Sequence, residues 1–99
     1  MANKKPEIPS KQITLYDKSH DVYTFIPFEV MHTMENETFD RMALRRSQVL
    51  TRPEKLMFSR QMLWEAIVHP EDKVKLSELD TEDVESLFAD WVLAEYDGV

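Results

Sequence analysis

Residues 51–70, TRPEKLMFSRQMLWEAIVHP, constrain the fold more than any other stretch, because they predict one helix with both ends encoded. Thr51 and Glu54 have the spacing of a capping box, in which a hydroxyl and a carboxylate satisfy backbone donors at the start of a helix. Pro53 falls in the first turn, where its missing N–H is not needed. Pro70 disfavours helical geometry at the residue before it. The pattern therefore predicts a helix over about residues 52–68.

Apolar side chains cover this predicted helix on more than one side. They fall into three neighbouring rows: Leu56, Leu63 and Ile67; Met57, Trp64 and Val68; and Phe58, Met62 and Ala66. A surface helix that buries one face needs only about three or four apolar residues per two turns. We therefore expect the helix to be covered on several sides, by its own chain or by a partner. Met57, Phe58 and Met62 are the candidates for a partner-binding or self-association surface, although methionines also fill irregular cores.

The first 28 residues predict a flexible tail followed by a β-hairpin. Residues 1–10 contain two prolines, two lysines and few residues to bury, which favours disorder. Polar and apolar residues then alternate through residues 12–16 and 22–28, on either side of the polar run Asp17–Asp21. This pattern is typical of two strands joined by a five-residue loop, with a hairpin over about residues 12–28. Because a lone hairpin is marginal in water, it must pack on helices or pair with another chain.

Helical spacing replaces alternation after the hairpin. Residues 29–50 carry apolar side chains three and four positions apart, with Asn36 and Thr38 both suitable as N-caps. Either one bent helix or two separate helices fits this segment. Phe39 and Met42 belong to its apolar face.

The rest of the chain predicts a charged linker and one more helix. We interpret residues 71–80, EDKVKLSELD, as the linker. Asp80 or Thr81 then caps a helix over about residues 81–96, with acidic residues in its first turn and Gly98 as its C-cap. The expected fold is mainly α (α+β): an N-terminal β-hairpin followed by three to four helices in one compact domain over residues 11–99.

Length, composition and charge exclude several classes of protein. Ninety-nine residues make one domain, and the absence of cysteine excludes disulfides and thiol chemistry. No apolar run has the roughly 18 residues of a membrane span, and the N-terminus lacks a secretory signal, so we expect a cytoplasmic protein that does not bind membranes. The net charge of −7 comes entirely from the second half of the chain. Nucleic-acid binding requires a basic face, so we expect no nucleic-acid partner.

Motifs for catalysis, metals and cofactors are missing from the sequence. One glycine cannot build a phosphate-binding loop or a dinucleotide fingerprint. His20, His32 and His69 are far apart, and the acidic clusters lack the spacing of a calcium loop. We expect a protein that is not an enzyme and that uses no cofactor or metal.

The order of these signals resembles the tail assembly chaperones of long-tailed bacteriophages. The resemblance covers about residues 12–93 and rests on the hairpin ITLYDKSHDVYTFIPF, the Trp-bearing helix ending in WEAIVHPED, and the phrase KLSELDTEDVESLFADWV. It implies a mostly helical, non-catalytic protein that coats the long tape measure protein and recruits tail tube subunits in the bacterial cytoplasm. In many such phages a translational frameshift also produces a longer form.

Two other functions are compatible with the sequence. A structural phage protein of the head–tail junction or tail terminus would remain in the virion. An acidic DNA mimic that inhibits a host enzyme would need acids spaced like phosphates over a surface. The acids here concentrate at predicted helix starts, where local structure already explains them.

Overall fold

The computed structural model describes residues 11–34, 36–48 and 51–94. In chain order the elements are β1 (Ile13–Tyr16), β2 (Val22–Phe25), α1 (Phe28–Thr33), α2 (Glu37–Arg46), α3 (Arg52–Ala66), α4 (Pro70–Ser77) and α5 (Thr81–Leu93). The predicted fold class is confirmed: a two-stranded antiparallel hairpin precedes helices that pack into one globule. The predicted N-terminal tail and the Gly98 cap lie outside the described residues.

The hairpin packs on the helices and gains a third extended segment. β1 and β2 pair with Ile13 opposite Phe25, and the residues after α3 run antiparallel along the other edge of β2. There the N–H of Ile26 donates to the carbonyl of Ala66 at 2.8 Å, and the N–H of Val68 donates to Thr24 at 2.9 Å. Both edges of β2 are therefore paired, which stabilises a hairpin that would be marginal alone.

Asp17 organises the five-residue hairpin loop. Its carboxylate accepts hydrogen bonds from the backbone N–H groups of Ser19 at 2.8 Å and Asp21 at 3.0 Å. The same carboxylate accepts a hydrogen bond from the hydroxyl of buried Tyr23, with an oxygen–oxygen distance of 2.8 Å. Burial, with this hydrogen bond as a second cause, raises the pKa of Tyr23 above its ordinary value. His20 has a φ of 68° and is therefore a left-handed residue. Its two neighbours, Ser19 and Asp21, donate to the Asp17 carboxylate, and these hydrogen bonds hold the loop in this conformation.

The sequence left open whether residues 28–50 form one bent helix or two, and α1 and α2 are two separate helices. α1 ends at Thr33, because the backbone of Met34 is extended, with a ψ of 135°. Asn36 is the N-cap of α2, since its side-chain oxygen accepts a hydrogen bond from the N–H of Phe39 at 3.0 Å. Of the two caps that the sequence offered, the asparagine is the one used.

α3 begins as predicted and ends earlier. The capping box of Thr51 and Glu54 is present in both directions, and the proline lies in the first turn. The helix ends at Ala66 instead of residue 68, because Ile67 is extended and pairs with β2. Sheet pairing, not Pro70, ends the helix.

The structure corrects the expected linker: its first part is α4. Pro70 takes the first-turn position of the new helix, followed by the acidic residues Glu71 and Asp72 and, in the last turn, Lys75. These are the residues that a helix start and a helix end favour. Lys75 also pairs with Asp72 at 3.4 Å. The described chain therefore has five helices, where three to four were expected.

α5 supplies the centre of the core. Asp80 is its N-cap and accepts from the N–H of Asp83 at 2.9 Å. The fully buried ring of Trp91 lies 5.1 Å from Phe28, centroid to centroid, and its indole N–H donates to the carbonyl of Ile26 at 2.9 Å. Further rings surround it at centroid distances of 5.6–6.3 Å: Phe25, Phe39 and Phe88. One indole thus contacts rings from the hairpin, α1, α2 and its own helix.

Candidate functional site

The inward face of α3 carries the packing of this helix. Its members are 2% exposed or less: Ser59, Met62, Leu63 and Ala66. They follow the i, i+3, i+4, i+7 spacing of one helical face. This face packs against α2 and α5, which are the helices with the most extensive contacts to α3.

The three predicted partner-binding residues occupy three different environments. Met57 is 49% exposed and lies on the outer side of α3. Phe58 is partly buried against the core, and the guanidinium of Arg45 lies 5.5 Å from its ring centroid. Met62 is 2% exposed and belongs to the core. Of these three residues, only Met57 therefore presents a large side-chain surface to solvent.

One row of residues on α3 remains at the surface, and we name it the outer stripe: Pro53, Met57, Arg60 and Trp64. These positions follow the i, i+4, i+7, i+11 spacing of a single helical face. Trp64 is 38% exposed. Because tryptophan side chains contribute strongly to the binding energy of protein interfaces, an exposed one is a candidate contact residue. The sequence placed Met57 and Trp64 in a common row and made Met57 a candidate for partner binding, but it did not single out Trp64. The signal for its exposure was the position of Arg60 in the same row.

Cations line the edges of the outer stripe. The guanidinium of Arg60 donates to the carbonyl of Leu76 at 2.9 Å, at the end of α4. The ammonium of Lys73 lies 5.3 Å from the ring centroid of Trp64, a cation–π contact. Lys73 and Arg60 thus place positive charge beside the most exposed aromatic residue of α3.

Two open cavities adjoin the outer stripe and share residues. The first, of about 420 Å³, lies beside Trp64, Gln61 and Arg60. The second, of about 600 Å³, lies beside Met57, Pro53 and the same Arg60 and Gln61. We refer to the two cavities together as the concave band, and the α3 residues that line it run from Pro53 to Trp64, roughly three turns of helix, or about 16 Å. The walls are mostly apolar, as in sites that bind apolar side chains.

The described residues form no group of possible metal ligands. Within residues 11–34, 36–48 and 51–94, no group of three or more His, Asp or Glu side chains could hold a metal ion. His20 lies in the hairpin loop, and His69 is the N-cap of α4. The imidazole of His32 packs edge-on against Phe28 at 4.5 Å. Each histidine therefore occupies a turn, a helix start or an aromatic edge.

The arrangement suits binding through an apolar helix face whose edges carry two cations, Arg60 and Lys73, and one acid, Glu65. In the part of the chain that the structure describes, no helix has the length and apolar character needed to cross a membrane. No protein-family profile, curated protein or solved structure matches this chain.

Proposed function

We propose that this chain is a non-catalytic protein-binding factor that holds an amphipathic helix of a partner on its outer stripe. The observation that carries the proposal is the exposure of Met57 and Trp64 in one helical row beside a concave apolar band. Helix-in-groove recognition uses apolar anchors at i, i+3 or i+4, and i+7, over about the length of this band.

The chemistry of the partner follows from the edges of the band. Arg60 and Lys73 flank the exposed indole of Trp64, although the chain as a whole carries a net charge of −7. Complementary charge guides encounter and fixes register more than it adds affinity. The partner helix should therefore carry apolar residues on one face and acidic residues at the margin of that face.

The biological role that we propose is that of a tail assembly chaperone of a long-tailed bacteriophage. Such a factor keeps the helix-rich tape measure protein soluble and brings tail tube subunits to it, in the host cytoplasm. The sequence resemblance over about residues 12–93 suggests this role. The exposed apolar stripe on a folded domain supports it, because a holdase needs accessible apolar surface and a soluble outer face.

The test is co-production of the chain with the long helical protein encoded by the neighbouring tail genes. We expect the wild-type chain to keep that protein soluble and to co-purify with it. The double variant Met57→Asp, Trp64→Glu should lose at least about tenfold in binding, since truncating a central aromatic anchor costs roughly 2 kcal/mol or more. The matched control is Leu44→Asp on α2, because Leu44 is also exposed, at 63%, but lies away from the outer stripe.

Three results would overturn parts of this proposal. If the folded double variant binds as well as the Leu44→Asp control, the outer stripe is not the binding surface. If Met57→Asp converts a dimer of the free chain into monomers, the occupant of the stripe is a second copy. If the chain is abundant in purified particles, it is a structural protein of the head–tail junction or tail terminus, and the chaperone role is wrong.

A further inference from the structure

A third cavity lies between α2, α3 and α5, and its charge is opposite to that of the whole chain. It has a volume of about 490 Å³ and is lined by three cations, one acid and an apolar wall: Arg46, Arg52, Lys55, Glu85, Leu56 and Phe88. The net charge of the chain is −7. A local excess of positive charge in an acidic protein marks a place where a negative ligand is attracted.

The one acid in this cavity is already paired. Arg52 and Glu85 form a bidentate ion pair, with Nε–Oε2 and Nη2–Oε1 distances of 3.0 and 2.9 Å. Arg46 and Lys55 supply the remaining positive charge. Among the residues that the structure describes, neither forms an ion pair with a carboxylate.

The guanidinium of Arg46 is held in a fixed orientation. Its Nε donates to the hydroxyl of Ser59 at 2.7 Å, and Ser59 is 1% exposed. Its carbon Cζ lies 4.3 Å from the ring centroid of Phe88. With Nε bound to Ser59 and Cζ over the Phe88 ring, the terminal Nη1 and Nη2 groups are the donors left for a ligand. Partial burial also lowers the pKa of Arg46, because the group has lost water without gaining a carboxylate.

We propose that this cavity is an oxyanion site that takes the phosphate or carboxylate group of a small organic molecule. The terminal N–H groups of Arg46 bind two oxygens of the anion as a fork, and the ammonium of Lys55 binds from the side. Leu56 and Phe88 contact the organic part of the ligand. The volume fits this assignment, because small-molecule sites measure roughly 300–1,000 Å³. The proposal does not depend on the outer stripe or on the proposed function.

The probes are inorganic phosphate, phenyl phosphate and benzoate, titrated into the full chain at low salt and followed by amide chemical shifts and by thermal unfolding. We expect at least one probe to bind, to perturb residues of α2 and α3 around Ser59, and to raise the melting temperature. Tighter binding of phenyl phosphate than of benzoate assigns a phosphate ligand, and the reverse order assigns a carboxylate. Equal binding of inorganic and phenyl phosphate would remove the organic part from the proposal.

Variants of the lining residues decide whether the probes bind in this cavity. Arg46→Gln should raise the dissociation constant at least about tenfold, because a charged fork of hydrogen bonds is lost. Lys55→Gln changes an exposed residue, so it tests the site even if Arg46→Gln folds poorly. The matched control is Arg45→Gln, which removes the same charge from the neighbouring exposed arginine over Phe58. Absence of binding by all three probes, or equal weakening by Arg45→Gln and the cavity variants, would overturn the proposal.

Discussion

Replacing Met62 or Met57 by alanine separates the inward face of α3 from the outer stripe. Each change removes three heavy atoms, which contribute about 0.8 kcal/mol each when fully buried. Met62 is 2% exposed, so Met62→Ala loses nearly all of this and leaves a cavity, for a total of about 2–5 kcal/mol. Met57 is 49% exposed, so Met57→Ala loses about half of it, roughly 1 kcal/mol, and leaves no closed cavity.

The assay is urea unfolding of both variants, followed by circular dichroism, with thermal unfolding alongside. Each kcal/mol corresponds to a melting-temperature shift of roughly 4–8 °C for a domain of this size. Met62→Ala should therefore melt well below Met57→Ala, with an unchanged urea dependence of the unfolding free energy. Equal losses of stability, or a larger loss in Met57→Ala, would refute the assignment of the two faces. That outcome would return Met62 to the partner surface first suggested by the sequence.

Three further predictions concern the core, the hairpin loop and acid stability. Trp91→Phe should lower the free energy of unfolding by about 1–3 kcal/mol. The reason is that the buried carbonyl of Ile26 loses its only side-chain donor among the described residues. Unchanged stability in urea would contradict this prediction. Asp17→Asn should destabilise the hairpin by a similar 1–3 kcal/mol, since a carboxylate that accepts three hydrogen bonds is replaced by a weaker acceptor; hydrogen exchange of β1 and β2 amides would report the loss. Hydrogen bonds from the backbone and side chain of Thr51 hold the pKa of Glu54 below its ordinary 4.5. The stabilisation from Glu54 is therefore present above about pH 4.5 and is lost as the pH falls through the lower folded-state value. Between pH 7 and pH 3, Glu54→Gln should lose less urea stability than the wild type, and parallel losses would refute the linkage.

Local signals in the sequence were sufficient for most element starts. The capping box at Thr51, the asparagine before α2 and the aspartate before α5 all form the hydrogen bonds that their side chains predict. These interactions span only three residues, so they need no knowledge of the tertiary fold.

The missed features depend on contacts between distant residues. α3 ends at Ala66 because Ile67 pairs with Phe25, forty-two positions earlier in the chain. α4 has good start signals at Pro70, but its charged sequence was interpreted as a linker and not as a helix. Its burial is confined to a few positions, with Leu76 fully covered and the Leu76 carbonyl bound by Arg60. Such contacts appear only when the elements are assembled.

The environments of Met57, Phe58 and Met62 were predicted only in part, for a different reason. Periodicity shows which residues share a face of a helix, but it does not show which of two apolar faces turns inward. Met62 and Met57 are equally apolar, and only packing against α2 and α5 assigns one to the core. The sequence did predict that α3 carries more apolar surface than one buried face requires. The exposure of Met57 and Trp64 shows that α3 carries apolar surface beyond its buried face.

The same surplus explains why stability and binding should be separable in this protein. The core closes around Trp91 with rings from four elements, and α3 contributes to it mainly through the inward face, with Phe58 also packed against it. Folding therefore gains less from Met57 and Trp64 than it would if they were fully buried, while their exposure costs solubility. The partner contact that we propose would account for this exposed row. Variants such as Met57→Ala should then weaken partner binding while lowering the free energy of unfolding by only about 1 kcal/mol, less than Met62→Ala does, a combination that a purely structural role for this side chain does not predict.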